Sequence, residues 1–402
     1  MTGPELEIDF FTPEALADPY PLYERVRAQG NVVWNPLLQA WMVVGYEEGV
    51  DVLSDGGDRF VVLNGDPEIT FWFEAPNMIA VDGIDHRRLR SALAPLFTRR
   101  AVAAWEQRVA DVVEDMLAPL ATGGGDVDLI AGFTQLPTII VADMLGIPEE
   151  RHEDMRRWSD TIAGNISYGS EDDEVRAALR AASTEINAYL RAEIDRHRTQ
   201  RPEDLLTTML DLLGEARMSE DEIRSTGVLL LIAAYHTTSK TLANTLIALE
   251  ANPDQRELVV ADPSLIPAAI EEAMRWYGTV QFIPRAATRD LEVGGTAIAA
   301  GQKLFVTIAA CNRDPARWDR PGSFDVRRRL RTNISFGFGP HLCVGAHLAR
   351  LEVRIALARF LALAPAFGLR DVDFGHSFSI RGPERGVVDV RGGPAPVTAS
   401  PV

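Results

Sequence analysis

The longest uninterrupted helical pattern of the chain lies near its middle. Ser219-Glu220-Asp221-Glu222 is a capping box, in which a serine hydroxyl and a glutamate carboxylate satisfy free backbone N–H groups, and the next proline after it is Pro253. About thirty residues at a rise of 1.5 Å form a rod of roughly 45 Å, long enough to cross a whole domain. Its middle, residues 229–234, is apolar and small. The sequence therefore predicts a buried helix that crosses the interior.

The rest of the chain favours helices with a few short strands. Apolar residues recur three and four apart, as in helices, in the segments 101–120, 175–198 and 348–363. Strand-like stretches occur at 32–34, 40–44, 291–293, 303–308 and 387–390. The predicted class is mainly α with small peripheral β-sheets. Because no linker, repeat or low-complexity tract divides the 402 residues, we expect a single domain over 1–402.

Charge and composition exclude several classes of partner. A formal net charge of −18 disfavours nucleic acid and anionic membranes. The first residues lack a basic and apolar leader, and the longest apolar run, 228–235, is too short to span a bilayer. The two cysteines, Cys311 and Cys343, give no disulfide framework. We expect a soluble, cytoplasmic protein without a nucleic-acid or membrane partner.

Ten residues surround the second cysteine: Phe336-Gly337-Phe338-Gly339-Pro340-His341-Leu342-Cys343-Val344-Gly345. The pattern is typical of a loop that presents a thiolate to heme iron, since thiolate ligation favours cleavage of a bound O–O bond. Gly339 and Gly345 allow a flat macrocycle to approach the backbone, and Phe336 shields the sulfur. The helical pattern after Gly345 predicts that the sulfur lies near a helix N-terminus, where the macrodipole favours an anion. A buried structural cysteine is the competing interpretation.

Three further motifs accompany this loop: His86-Arg87-Arg88-Leu89-Arg90, Ala233-Ala234-Tyr235-His236-Thr237-Thr238 and Glu272-Ala273-Met274-Arg275. Together the four motifs resemble those of the cytochrome P450 family of heme-thiolate monooxygenases, in its soluble bacterial form, over nearly the whole chain. The resemblance implies the cytochrome P450 fold and heme b (iron protoporphyrin IX) as cofactor. It also implies Cys343 as the iron ligand, dioxygen as co-substrate and a ferredoxin-type electron donor served by a ferredoxin reductase.

The resemblance also assigns roles around the cofactor. His86, Arg90, Arg285 and His341 match the residues that bind the heme propionates. Glu272 and Arg275, three apart on a predicted helix, match a buried structural ion pair. The family's third basic partner falls at Ser323, so we expect some other arginine, such as Arg320 or Arg327, to replace it.

The oxygen-side helix departs from the family at two positions. The hydroxyl at Thr237 matches the group that helps to deliver protons, but the preceding acid of the family is His236 here, and the small residue two before it is Ala234 rather than glycine. An imidazole also relays protons, because its unperturbed pKa lies at about 6.5. Our hypothesis is that His236 replaces the acid. The alternatives are that it fills a gap in the core or contacts substrate.

Substrate contacts are assigned from the family's pocket segments, and the predicted lining is apolar and aromatic. It consists of Phe71, Trp72, Phe73, Ala233, Ala234, Gln281, Phe282 and Phe378. Such a lining predicts a medium-sized, largely apolar or aromatic small molecule, most simply hydroxylated at a C–H bond. Aromatic clusters also occur in ordinary cores.

The basic run Arg327-Arg328-Arg329-Leu330-Arg331, with Arg99 and Arg100 as weaker additions, reverses the acidic balance just before the cysteine loop. It either steers an acidic ferredoxin or is a solvated basic turn.

Two alternatives to hydroxylation stay open within the family, namely use of peroxide and a C–C or C–O coupling reaction of natural-product biosynthesis. A heme-binding sensor without turnover is the alternative of another class. A zinc protein is the weakest, since the histidines and cysteines lack paired ligand spacing.

Overall fold

The computed structural model describes residues 3–63, 73–121, 127–128, 132–163, 173–215, 217–329, 332–375 and 377–389. Helices dominate these ranges. They are α1 Pro13–Ala17, α2 Tyr20–Arg27, α3 Tyr46–Ser54, α4 Gly83–Leu93, α5 Arg99–Ala103, α6 Glu106–Ala121, α7 Gln135–Met144, α8 His152–Ala163, α9 Asp173–Gln200, α10 Leu205–Gly214, α11 Glu220–Ala251, α12 Pro253–Ala261, α13 Ile266–Trp276, α14 Ile308–Cys311 and α15 Ala346–Leu363. None of the helices in these ranges has the length and hydropathy to cross a membrane.

The strands are short and lie outside the helical core. They are β1 Val32–Asn35, β2 Ala40–Val43, β3 Phe60–Val61, β4 Val127–Asp128, β5 Ile283–Ala287, β6 Leu291–Val293, β7 Thr296–Ile298, β8 Lys303–Val306, β9 Gly368–Asp373 and β10 Arg385–Asp389. They form sheets in the orders β1-β2-β8-β5-β3, β4-β10-β9 and β6-β7. Only β2 and β8 pair in parallel, with Trp41 beside Leu304, among the described ladders. The predicted mainly α class with small sheets is confirmed.

The predicted central rod is α11, which runs for 32 residues. Its capping box forms as expected, because the Ser219 hydroxyl accepts from the Glu222 N–H at 3.2 Å and the Glu222 carboxylate accepts from the Ser219 N–H at 2.8 Å. Helices α7, α8, α9, α13 and α15 pack against α11. These neighbours cover α11 on all sides over most of its length, so the helix has no solvent-exposed face there.

Two boundaries differ from the sequence prediction. The segment 101–120 is interrupted, because Ala104 and Trp105 form a turn between α5 and α6. Continuous burial of the rod from Ile223 is interrupted after Ile232 and resumes beyond Ala234, whereas the sequence predicted burial through 234; Ala233 is exposed and Ala234 is half-buried. An exposed residue in the middle of an otherwise buried helix marks the wall of an internal space.

Candidate active site

The cysteine loop is built on two glycines with left-handed backbone. Gly337 has φ +76° and Gly339 has φ +69°, a region that side chains disfavour. At Gly339 a Cβ would also collide with the carbonyl oxygen of Leu53 and lie 2.8 Å from the Cα of Ser54. The loop therefore rests directly on the last turn of α3. In this structure Gly339 serves that close approach.

The Cys343 sulfur lies at the start of α15, whose N-cap is Gly345. The Cys343 N–H donates to the Phe336 carbonyl at 2.9 Å. Cys343 is exposed, yet desolvation by the surrounding protein raises its thiol pKa, opposed by a hydrogen bond from the Gly345 N–H and by the charges of Arg90 and Arg350. A side chain that is both exposed and closely surrounded lies on the wall of an enclosed cleft. The opposing contacts all favour a thiolate.

Phe336 packs beside this sulfur-bearing turn. The guanidinium of Arg350 lies 4.3 Å from the Phe336 ring centroid and pairs with Glu271. Phe336 is half-buried against the main apolar core. The contact fixes the ring in place and gives the loop an apolar side, as a shield for sulfur requires.

Two cations near the loop have no carboxylate partner among the described residues. Arg285 is 5% exposed and donates to the neighbouring Pro284 carbonyl at 2.8 Å. Arg90 is half-buried and lies near enough to Cys343 for a thiolate charge there to favour the charged guanidinium. In the described part of the chain neither forms an ion pair within 4.0 Å, and burial lowers the pKa of both guanidinium groups. Desolvated, unpaired cations of this kind fit a ligand that carries two carboxylates, as heme does.

His86 and His341 complete this group. Their ring centroids lie 4.0 Å apart, and His341 Nε2 lies 2.8 Å from Asp82 Oδ1. His86 is buried, and desolvation followed by the nearby charges of His341 and Arg90 lowers its pKa to about 4. The structure thus brings together all four residues predicted to bind the propionates.

The central helix carries the predicted oxygen-side residues. The Thr237 hydroxyl donates to the Ala233 carbonyl at 2.8 Å, and the Thr241 hydroxyl donates to the Thr237 carbonyl at 2.7 Å. Such bonds to the carbonyl four residues earlier hold a helical hydroxyl in a fixed rotamer. Thr238 is buried, while Thr237 is partly exposed on the same strip as Ala233. Thr237 therefore faces the internal space.

His236 lies on this helix but makes no hydrogen bond to Thr237. Both of its ring nitrogens are buried without a hydrogen-bond partner in the described ranges. Its ring contacts Tyr235 edge-on at 4.6 Å. Burial, and then the charge of Lys240, lowers the pKa of His236 to about 3. The imidazole is consequently neutral at physiological pH, with one donor and one acceptor nitrogen.

The predicted structural ion pair is present and has a third member. Arg275 donates to both carboxylate oxygens of Glu272 at 2.8 Å, and the third cation is Arg328, with Nε 2.9 Å from Glu272. The Ser323 carbonyl accepts from both arginines. Another arginine does take the third place, as expected, but it is neither Arg320 nor Arg327. Arg320 reaches only Asp325, at 3.6 Å, and Arg327 is exposed.

Several predicted substrate contacts are core residues. Gln281 is 0% exposed, accepts from the Tyr23 hydroxyl at 2.8 Å and donates to the Gly278 carbonyl. Phe282 and Phe378 are buried with ring centroids 5.2 Å apart, in a cluster with Phe10 and Phe305. Phe73 is buried in the main core. The geometry corrects all four, because their surfaces are already covered. Phe71 and Trp72 lie outside the described residues.

The side chains that do face partly open space are aliphatic neighbours of these residues. Val280 pairs with Ile380 in an antiparallel bridge, and both are half-buried. A Cβ placed on Gly337 would lie 3.5 Å from Ile283 Cδ1, so Ile283 adjoins the cysteine loop. The resemblance placed this segment in the pocket but did not tell its side chains apart. Val280 and Ile283 are half-buried whereas Gln281 and Phe282 between them are buried, so the regular alternation of a strand would not have separated them either.

Comparisons with known proteins give a consistent picture. A family model described as Cytochrome P450 matches residues 166–363. The chain is 34% identical to the cytochrome P450 monooxygenase PikC of Streptomyces venezuelae, over 91% of this chain and 88% of PikC. It is 33% identical to the vitamin D(3) 25-hydroxylase of Pseudonocardia autotrophica, over 96% of each. The crystal structure of P450BioI in complex with a hexadec-9Z-enoic acid ligated acyl carrier protein superposes with a TM-score of 0.87 at 28% identity, covering 94% of this chain and 100% of that one.

Proposed function

The chain belongs to the cytochrome P450 family of heme b monooxygenases and has its fold, and on that basis we propose that it hydroxylates a medium-sized apolar small molecule with electrons from a ferredoxin. The observation that carries the proposal is the placement of the Cys343 sulfur. It lies on the wall of an enclosed cleft at a helix N-terminus, with the Gly345 N–H directed at it and unpaired Arg90 nearby.

Heme b, when bound, supplies the activation of dioxygen for insertion of one oxygen atom into a C–H bond. Cys343 ligates the iron in this proposal. Arg90, Arg285, His86 and His341 bind the propionates, and the two unpaired guanidinium groups balance their charge. Phe336 and the Gly345 N–H protect the sulfur from water and protonation, and Gly339 fixes the loop against α3.

Thr237 is the proposed proton donor on the central helix. Its hydroxyl donates its one proton to the Ala233 carbonyl and faces the internal space, so its oxygen is positioned to accept a hydrogen bond from a water. Donation of the proton toward the internal space requires the hydroxyl to turn away from Ala233. His236 is proposed as the relay that takes the place of the family's acid. Because the pKa of about 3 disfavours a doubly protonated ring, the proposed relay is concerted: one nitrogen of the neutral imidazole accepts a proton as the other releases one.

The proposed substrate pocket is aliphatic. Its wall consists of Ala233, Ala234, Val280, Ile283 and Ile380, with Thr237 as the polar group. Such a lining binds apolar surface and orients it weakly. The names of the relatives support this class, since one acts on vitamin D(3) and another structure holds a hexadecenoic acyl chain.

The electron donor is proposed to dock near α5 and the start of α15. Arg99 lies close enough to His347, four residues after Cys343, to lower the pKa of that imidazole together with burial and Arg350. Arg99, Arg100, Arg327 and Arg329 are exposed. Arg328 is not available, because it binds Glu272. An acidic ferredoxin complements these charges. We place the protein in the cytoplasm, where such donors and reduced thiols occur together.

The test begins with the holoprotein. We expect the ferrous, carbon-monoxide-treated protein to show the red-shifted Soret band of thiolate ligation. Cys343→Ala should abolish the band, and Cys311→Ala, which removes the other cysteine from the core, should retain it. A wild-type protein that binds heme without this band would refute the proposal.

A second function of the same site is favoured by one observation. Thr237 has His236 rather than a carboxylate beside it, which weakens proton delivery and favours use of hydrogen peroxide. Product formation with hydrogen peroxide should then exceed that with a ferredoxin and its reductase at equal enzyme concentration. A protein that consumes neither hydrogen peroxide nor the reductant of the ferredoxin system with any apolar compound would instead be a heme sensor.

A further inference from the structure

Lysine is rare in this chain, and one lysine is buried on the central helix. Only Lys240 and Lys303 are lysines among the 40 basic residues. Lys303 is exposed on β8, whereas the Lys240 side chain is 4% exposed, one turn beyond His236 and Thr237. A buried ammonium is costly unless it is paired and hydrogen-bonded. Its partners therefore show what the charge holds in place.

Among the described residues, the hydrogen-bond and ion-pair partners of Lys240 lie in the C-terminal segment 380–384. Its Nζ donates to the Ile380 carbonyl at 3.1 Å and lies 3.5 Å from Glu384 Oε1, whose side chain is 39% exposed. The chain between them passes directly over the lysine, since a Cβ on Gly382 would lie 2.5 Å from the Lys240 Cβ. Lys240 thus holds the segment on α11, and one turn further along the helix the Asn244 amide also donates to the Arg381 carbonyl at 3.0 Å.

The other side of the segment is bound to the stretch 279–281. The Arg381 N–H donates to the Thr279 carbonyl at 2.7 Å, and the Gln281 N–H donates to the Ser379 carbonyl at 2.9 Å. Between these bonds Ile380 lies opposite Val280, so their side chains share one face. That face is the aliphatic wall proposed above. Lys240, together with Asn244, consequently fixes the distance between Ile380 and the helix that carries Thr237.

We propose that Lys240 and Glu384 form a latch that holds the segment 380–384 against α11, and that this latch sets how long an apolar substrate the site accepts. The inference rests on the proposed function, because it needs Ile380 and Val280 to line the substrate pocket. Lys240 and Glu384 touch no substrate and act through Ile380 as positioning residues. Releasing the ammonium from Glu384 lets the segment move away from the helix and changes the depth of the wall.

The latch is tested on the holoprotein with two azoles that bind iron through the same nitrogen. Imidazole is too small to reach the wall at Ile380, whereas the chain of 1-dodecylimidazole must pass along it. Both are titrated by the shift of the ferric Soret band in Lys240→Met and Glu384→Gln. Lys303→Met and Glu292→Gln, at exposed positions, are the matched controls for the lost charges.

We expect the two latch variants to change the dissociation constant of 1-dodecylimidazole by about fivefold or more, and that of imidazole by less than about twofold. The controls should change neither. An unchanged ratio of the two constants in the latch variants would overturn the proposal, and so would an equal loss for both azoles. If Lys240→Met does not retain heme, the result for Glu384→Gln decides the proposal, because this substitution alters only a partly exposed side chain. A wild-type protein without any azole shift would refute the proposed function instead.

Discussion

The imidazole rings of His86 and His341 lie 4.0 Å apart, with an angle of 33° between their planes. One ring comes from α4 and the other from the turn before Cys343. Asp82 binds His341, while His86 is buried beside Arg90. Two histidines in contact next to an arginine disfavour protonation of the more buried ring.

This arrangement predicts an acid-sensitive apoprotein. The folded-state pKa of His86, about 4, lies below its ordinary 6.5, so its contribution to stability is complete above pH 6.5 and is lost as the pH falls toward 4. Between pH 6.5 and pH 4 the unfolding free energy should fall less in His86→Gln than in the wild type. Urea unfolding at several pH values measures it. An identical pH profile for wild type and variant would contradict the burial of a neutral His86.

Arg285 should control heme retention. Arg285→Gln removes a buried cation without a carboxylate partner in the described chain, and we expect heme to leave the ferric protein about tenfold faster or more, since a charge-assisted hydrogen bond is lost. Transfer of heme to an excess of apomyoglobin measures the rate. Arg289→Gln is the control, because Arg289 is exposed and pairs with Asp58 at the surface. Equal rates for both variants would argue against Arg285 as a propionate ligand.

His236 and Thr237 should have the same effect on the coupling of turnover. If His236 relays protons to Thr237, His236→Ala and Thr237→Ala should both lower the fraction of consumed reductant that appears as product, and Thr237→Ser should restore it, because the hydroxyl is kept. The measurement is product formed per reductant consumed. Unchanged coupling in His236→Ala would leave the histidine as a packing residue.

The ion-pair network of Glu272 should dominate stability over exposed pairs. Glu272→Leu leaves the buried Arg275 and the nearly buried Arg328 without their carboxylate, at a cost of about 3 kcal/mol or more in unfolding free energy. Arg354→Ala breaks the exposed pair with Glu106 and should cost less than about 1 kcal/mol. Guanidinium unfolding compares them. Similar losses in both variants would contradict the central place of Glu272.

Glu352 should destabilise the protein at alkaline pH. Its side chain is 1% exposed, Oε1 has no hydrogen-bond partner in the described ranges, and burial raises its pKa to about 8 from 4.5. The stability contributed by the protonated form is complete below pH 4.5 and is lost as the pH rises through about 8. Glu352→Gln should remove this loss, as measured by thermal unfolding at pH 6 and pH 9. A variant that still loses the same stability over this range would show that another group titrates.

Local chemistry explains what the sequence predicted well. The capping box at Ser219 and the asparagine-proline step at Asn252 fix α11 through neighbours in the chain, and the glycines and Cys343 define their loop within ten residues. Some positions that depend on packing between distant segments were not predicted. Arg328 replaced the expected Arg320 or Arg327 because the chain after Ser323 folds back onto Glu272. Likewise Gln281 turned inward because Tyr23, 258 positions away, satisfies its amide.

The contact of Gly339 with the carbonyl of Leu53 has a consequence for the autonomy of the C-terminal half. The cysteine sits in a loop whose foundation is an N-terminal helix, and one of the two histidines beside it comes from α4. Residues 166–363, the stretch that the family model matches, contain neither α3 nor α4. Expressed by itself, that fragment would contain Cys343 but would lack the helix α3 against which the cysteine loop packs.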